Sequence, residues 1–481
     1  MEPGGIDAVA AAVSASGIAG RRLREVIAAL AAGPTTLDDL VRDHAVPRRS
    51  VEALLRAAGP DVREERGKIF LNPLISPVYS DRLALHRLPD EPRVDGMAAL
   101  IAAAPAPDQA LDHVAATAET AERRARWLAT TYDLAGARVV CIGDHDLTSL
   151  ALRRACPDTE VTVVDVDERL LAYIDGQGAG IACYQADLRF GLPPAVAGSA
   201  DLIFTDPPYT PEGVQLFLGR GAQALRDRAN GRLVMAYGFS PLTPALGLKV
   251  QRAVLDLDLV IEAMLPAFNR YHGAQAVGSA SDLYVCRPTQ HTWQILDRRL
   301  DRLAGSANIY THGEQSLEGA AARGPARILG GGPLRADELT VDLSGDPGAW
   351  LARVLLAVNV AKVTLLVPNQ HPDLRDEAGQ TALRELIGAK YDLRLRRSTP
   401  GPKQATVEAT LRPAGEDGVA GWLLTHAHGK LGNVLREALV RTGLPRAAAA
   451  ARAAELVGRP EYLDARLLDV PRHVIVPLLH R

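Results

Sequence analysis

Aromatic residues make up only 4% of this 481-residue chain, and lysine occurs six times against 48 arginines. The arginine skew fits a GC-rich genome and marks no binding site by itself. Cysteine is scarce too. Cys141, Cys156, Cys183 and Cys286 form no C-x-x-C pair, and Cys141 and Cys286 fall inside expected buried strands. That pattern excludes a disulfide framework and reads as reduced, structural thiols. The opening MEPGGIDAVAAAV has no basic segment before its apolar residues, and no apolar run reaches the roughly 20 residues of a membrane span. Neither a signal peptide nor a membrane partner is expected, and a cytoplasmic protein is. Positive charge is not in excess either: a formal net charge of −3 disfavours nucleic acid as the main partner.

What is present is a folded composition, 47% apolar and 23% charged, with length for two or three domains. Residues 1–75 read as a winged-helix-like domain. Arg21–Ala32 is an amphipathic helix, Thr36 caps a second, Pro47 opens a third, and DVREERGKIFLNP reads as a hairpin wing. Arg48 and Arg49 begin the helix that DNA recognition would use. A dimerisation or substrate-gating appendage explains the segment better, since the rest of the chain is not regulatory in character, and a homodimer stays open. Proline-rich stretches over 76–112 read as a linker, and a helix from about His113 to Tyr132 leads into the next domain.

Residues 113–290 alternate apolar strands with helical patterns. Strands are expected at 137–143, 160–166, 181–187, 201–206, 232–238, 258–265 and 281–287, with helices between the first five. The last two lie close together without a clear helix between them, which suggests a seventh strand inserted antiparallel. The fold class is therefore α/β: a Rossmann-like, methyltransferase-type seven-stranded sheet whose ligand lies beyond the carboxyl ends of the strands. A glycine/alanine-rich extension spans 291–335, and 336–481 reads as a small α/β or α+β domain of unknown role.

The first strand ends in Gly143-Asp144-His145-Asp146-Leu147-Thr148-Ser149. A dinucleotide fold needs G-x-G-x-x-G here, and two carboxylates in place of the glycines would repel a pyrophosphate. They suit a cation, such as a sulfonium or a polyamine, although Asp144 can also cap the following helix. Asp165 ends the second strand where an acid commonly holds ribose hydroxyls; Asp167 is equally well a helix cap. Asp187 ends the third strand, in position to read an adenine amino group. The fourth ends in Asp206-Pro207-Pro208-Tyr209-Thr210-Pro211-Glu212-Gly213, and consecutive prolines force the chain out of the sheet in a stiff loop. That loop fixes a carboxylate, Asp206, and an aromatic face, Tyr209, beside the ligand, with Pro207 against the donor. Tyr271 and His272, in the run from Phe268 to Ala274, line the acceptor pocket or else belong to a solvated loop. His426 and His428, without partnered acids, are weak evidence for a metal, and none is expected.

Together, GDHDLTS and DPPYT resemble the branched-chain polyamine synthases, the bis(aminopropyl)spermidine synthases, over roughly residues 1–290. The resemblance implies a Rossmann catalytic domain behind a small N-terminal domain. It also implies transfer of aminopropyl groups from decarboxylated S-adenosylmethionine to a polyamine amine. The family pattern G-D-D-D-L-T-S is matched at Gly143, Asp144, Asp146, Leu147, Thr148 and Ser149, with His145 where the family has aspartate. The resemblance implies Asp146 as general base. Asp144 and Asp206 are expected to hold the remaining ammonium charges, with Gly143, Asp165, Asp187 and Pro207 around the donor and His145, Tyr209, Glu212, Tyr271 and His272 around the acceptor. The family carries glutamate after D-P-P where this chain has Tyr209, with Glu212 three residues on. The main alternative is an S-adenosylmethionine-dependent amino-methyltransferase, for which D-P-P-Y is also a motif; a ligand-sensing winged-helix regulator is the other.

Overall fold

The computed structural model describes residues 4–88, 91–303, 309–310, 320–346, 348–413 and 418–480. The N-terminal unit packs the helices Ile6–Ala15, Gly20–Ala32, Leu37–His44 and Arg48–Ala58 against a hairpin of β1 (Val62–Glu65) and β2 (Lys68–Leu71). Thr36 caps the third helix by accepting from the Asp39 amide, as its position before an apolar-periodic run leads one to expect. Arg48 is exposed and is paired with Asp38 and Glu52.

The central sheet runs through β3 (Arg138–Ile142), β4 (Glu160–Asp165), β5 (Ala182–Gln185), β6 (Leu202–Thr205), β7 (Arg232–Tyr237), β8 (Leu259–Arg270) and β9 (Ala280–Pro288). Its seven strands lie in the order β5-β4-β3-β6-β7-β9-β8, with β9 antiparallel to both its neighbours. The inserted seventh strand is thus observed. β6 and β7 are buried along their whole lengths, as strands covered on both faces by helices must be. The order reverses between β3 and β6, and the chain leaves both at that switch point on the carboxyl edge.

Four expectations need correction. No helix joins β5 to β6: DLRFGLPPAVAGSA forms turns, because Gly191, Pro193-Pro194 and Gly198 interrupt any helical run. β8 continues to Arg270 with register shifts between Ile261 and Ala263 and between Leu265 and Asn269, so Phe268, Asn269 and Arg270 belong to a strand, not a loop. The helix expected from His113 begins at Ala118, where Thr117 accepts from the Thr120 amide and caps it, leaving residues 113–117 extended. The expected extension 291–335 contains a helix, Thr292–Leu303, with Leu296 and Leu300 buried; residues 311–319 of its glycine/alanine-rich part lie outside the described residues.

A second sheet contains β10 (Glu338–Asp342), β11 (Lys362–Pro368), β12 (Tyr391–Arg396) and β13 (Gln404–Leu411), in the order β10-β11-β13-β12. β10 and β11 are parallel, joined through the helix Trp350–Ala357, which is buried on every side. Seven of its eight residues are apolar, as befits a helix inside a core, and the eighth, Arg353, is buried with partners. One continuous apolar cluster accordingly runs from Val140 and Ile142 of the central sheet through Trp350 to Leu478.

The loop after β6 is anchored by Thr210, whose hydroxyl donates to the Ile309 carbonyl at 2.8 Å and accepts from the Gly213 amide at 2.9 Å. A Cβ on Gly213 would lie 2.7 Å from the Ile309 carbonyl oxygen and 2.9 Å from that of Pro208, two backbone atoms that cannot swing aside. Gly213→Ala should therefore destabilise the protein by about 1–3 kcal/mol, the usual range for overpacking. Urea unfolding measures it, and an unchanged midpoint would contradict this packing.

Candidate active site

A cavity of about 810 Å³ opens at the carboxyl edge of the sheet, lined by Gly143 to Asp146, Asp165, Asp206 to Tyr209 and residues 271–274. Each lining segment follows from a local constraint. Gly143 ends β3 with φ 68°, a left-handed conformation that turns the chain upward at no steric cost. Leu147 is also left-handed, which starts the helix Thr148–Ala155 directly after the two acids. Pro207 and Pro208 end β6 and point the next residues over the opening.

Beneath the cavity lies a residue not singled out from sequence. Arg124, on the helix Ala118–Thr131, is fully buried. Its guanidinium donates to Asp146 and to Asp206, both at 2.7 Å, and to the Asn269 side chain at 2.7 Å. It lies 5.0 Å from the Phe204 ring centroid. Tyr271 donates its hydroxyl to Asp206 at 2.7 Å, and the Tyr209 hydroxyl reaches that of Tyr271 at 3.3 Å. A signal for Arg124 did exist. Ala121, Ala125 and Leu128 set the buried stripe of this helix, and Arg124 falls on it, where a charge is tolerated only if it is paired.

The carboxylates differ sharply. Burial raises Asp146, but the Arg124 charge outweighs it and holds the group below the usual range. Its Oδ1 accepts the Ala116 amide at 2.7 Å, so both oxygens are occupied. Asp206 shares the same arginine, yet burial and the neighbouring Asp146 charge lift it to about 7. Asp144, buried and holding only the Ser149 amide, is raised to about 8 by desolvation. Asp165 rises to about 6, mainly through burial, while accepting the amides of Asp144 and Asp167. Asp167 caps the next helix and pairs with Arg169.

His145 and His113 stack with ring centroids 4.4 Å apart, both against the cavity, and neither Nδ1 has a protein partner. No sequence signal marked His113, because its place depends on the tertiary bond from Ala116 to Asp146. Tyr209, Tyr271 and His272 line the cavity as well. Asp187 and Glu212 do not. Asp187 turns away, held by Arg189 at 2.6 Å and by the Trp350 indole at 2.9 Å. Glu212 lies in the first turn of the helix Pro211–Ala224. His428 gives its Nε2 to the Ala357 carbonyl and His426 its Nδ1 to the Trp422 carbonyl. Among the described residues, no three His, Cys, Asp or Glu side chains are grouped to hold a metal, and no helix is long and apolar enough to cross a membrane.

Residues 95–312, which hold this entire constellation, match the family model for the branched-chain polyamine synthase A C-terminal domain. The match covers under half of this chain, and that segment is similar to the branched-chain polyamine synthase family. An uncharacterized protein of Methanocaldococcus jannaschii is 36% identical over 181 residues, 37% of this chain and 45% of its own length. The N(4)-bis(aminopropyl)spermidine synthase of Thermococcus kodakarensis is 30% identical over 175 residues, 35% of this chain and 49% of its own. The chain thus spans about half the length of the curated relatives it matches. The crystal structure of the Thermus thermophilus branched-chain polyamine synthase, in complex with N4-aminopropylspermidine and 5'-methylthioadenosine, is 22% identical. It covers 59% of this chain and 92% of its own, with a TM-score of 0.35.

The raised acids make a pH prediction. Asp144 is protonated in the folded state up to about 8 and, unfolded, loses its proton near 3.8. The folded state therefore binds the extra proton, and the wild type loses stability as pH rises from about 4 to about 8. Asp144→Asn removes that loss. Its unfolding free energy should gain on the wild type across this window and run parallel above it, which urea titrations at several pH values resolve. A constant gap would mean that Asp144 is ionised in the fold.

Proposed function

We propose that the protein transfers an aminopropyl group from decarboxylated S-adenosylmethionine to an amine of a polyamine or similar acceptor. The observation that carries this reading is the composition of the cavity wall: five aspartates, Asp112, Asp144, Asp146, Asp165 and Asp206, and among the described residues neither lysine nor arginine. A donor with a free ammonium and a cationic acceptor suit such a wall. The carboxylate of S-adenosylmethionine would meet no cationic side chain there. Three curated relatives named N(4)-bis(aminopropyl)spermidine synthase support the same chemistry.

In this reading Gly143, Asp165 and Pro207 receive the donor. Asp144, His145, Tyr209, Tyr271 and His272 surround the acceptor, with His113 added to them. The amine lone pair attacks the carbon attached to the sulfonium. The new C–N bond forms as the C–S bond breaks, and its electron pair returns to sulfur, releasing 5'-methylthioadenosine. The amine must first shed a proton. Passing it from an ammonium of pKa about 10 to an ordinary aspartate costs about 8 kcal/mol, against about 4 kcal/mol for an acid near 7. Asp206, raised to about 7, is therefore the better acceptor than Asp146, whose two oxygens are tied to Arg124 and Ala116. Asp146 then holds Arg124 and the chain at 116 in place. Positioning of the two reactants supplies much of the remaining rate. Tyr209 offers a ring instead of a carboxylate, which favours an acceptor with fewer ammonium groups at that wall.

Incubation with decarboxylated S-adenosylmethionine and a panel of polyamines, followed by mass spectrometry, should reveal aminopropyl adducts. Asp206→Asn should lower kcat by about 10²–10⁴-fold, the usual worth of a positioned base, with donor affinity little changed. Methyl transfer from S-adenosylmethionine instead would replace this function with the methyltransferase one.

A further inference from the structure

The C-terminal unit lies outside the matched segment, yet it touches the ends of two strands that form the cavity. β5 is the edge of the central sheet. An open edge leaves backbone groups unpaired, and here the segment 459–462 covers them. The Tyr462 hydroxyl donates to the Cys183 carbonyl at 2.9 Å and accepts from the Cys183 amide at 3.3 Å. Arg459 donates to the Ile181 carbonyl at 2.8 Å, and the Tyr184 hydroxyl to that of Glu461 at 2.9 Å.

The helix after β4 is held in the same way. Glu168 follows Asp165 by three residues and is gripped by Arg353 and by the Arg472 amide. Burial raises Glu168, but the Arg353 and Arg472 charges outweigh it and keep the group ionised. Arg353 also donates to the carbonyls of Leu468 and Val470 at 2.9 and 2.8 Å. Asp175, at the far end of that helix, takes His473 and Arg459.

The third contact is closest to the ligand. Trp350 donates its indole N–H to Asp187 at 2.9 Å, and its ring packs 4.7 Å from the Arg189 guanidinium carbon and 5.2 Å from the Phe190 centroid. Arg189 in turn lies 5.4 Å from the ring of Tyr310. Ala186, Leu188 and Tyr310 are cavity wall. Asp187 is thus not a ligand-reading residue but the anchor that fixes the wall on either side of it.

We propose that Trp350 is a positioning residue of the active site, and that through Asp187 and Arg189 the C-terminal unit fixes the donor-binding wall formed by Ala186, Leu188 and Tyr310. That the wall receives the donor nucleoside rests on the function proposed above; the brace does not. The test compares full-length wild type, Trp350→Phe and Trp422→Phe by hydrogen exchange and by titration with decarboxylated S-adenosylmethionine. Trp350→Phe keeps an aromatic ring and removes the indole donor to Asp187, leaving the Arg189 ion pair. Faster exchange confined to residues 186–190, and donor affinity weakened about tenfold, about the worth of a hydrogen bond to a charged group, are expected. Trp422→Phe, in the same unit but away from this contact, should match the wild type in both. Asp187→Asn, which still accepts from the indole but loses the Arg189 ion pair, should lie between them. Unaltered exchange at 186–190 in Trp350→Phe overturns the brace, as does loosening of the whole C-terminal unit with no local effect. Faster local exchange in Trp350→Phe, with a wild type that binds no S-adenosyl compound, would leave the brace standing and remove the function proposed for the wall.

Discussion

One buried cation organises the site. Arg124 is fully excluded from solvent and holds Asp146 and Asp206 from below, one from the turn after β3 and the other from the turn after β6. A lone guanidinium in that position would be prohibitive, and two adjacent buried carboxylates would repel each other; the three together are tolerable. The arrangement also ties the helix Ala118–Thr131 and β8, through Asn269, to the switch point of the sheet. Removing Arg124 would leave two buried carboxylates without their cation, so this arginine sets the geometry of both loops at once. Because two acids share one arginine, one is fully neutralised and the other is left with a raised pKa. In the proposed function, that asymmetry separates the anchoring carboxylate, Asp146, from the proton acceptor, Asp206.

The two ends of the central sheet carry different attachments. The N-terminal unit docks where strands begin: Arg24 pairs with Asp133 just before β3, and Asn230 before β7 donates to the Ala15 carbonyl. Among the described residues, none of that unit lines the cavity. The C-terminal unit instead grips the end of β5 and the helix after β4, next to the wall. The matched segment therefore shares one apolar core with the C-terminal unit, while the N-terminal unit packs a core of its own.

The sheet was legible because its strands are continuous apolar runs separated by turn residues, and because the short link between the last two strands leaves no room for a parallel crossover. The acids after β3 and β6 were legible for a related reason: a carboxylate, or a proline pair, at the end of a central strand contradicts the local pattern and must have another purpose. Asp187 obeyed the same rule by position and failed it in fact, since Trp350, more than 160 residues later, takes its carboxylate. Nothing local could reveal that. Glu212 failed because Thr210 and Pro211 start a helix that carries it off the loop. Arg124 violated a helical stripe instead of a strand end, a subtler signal in a segment rich in arginine.

The proposed function depends on an aspartate-lined cavity suited to a donor without a carboxylate. Isothermal titration of the full-length protein with decarboxylated S-adenosylmethionine and, separately, with S-adenosylmethionine addresses it directly. A wall of aspartates without lysine or arginine predicts tighter binding of the decarboxylated form by tenfold or more, about 1.4 kcal/mol or above. Equal affinity, or preference for the carboxylated donor, would contradict it.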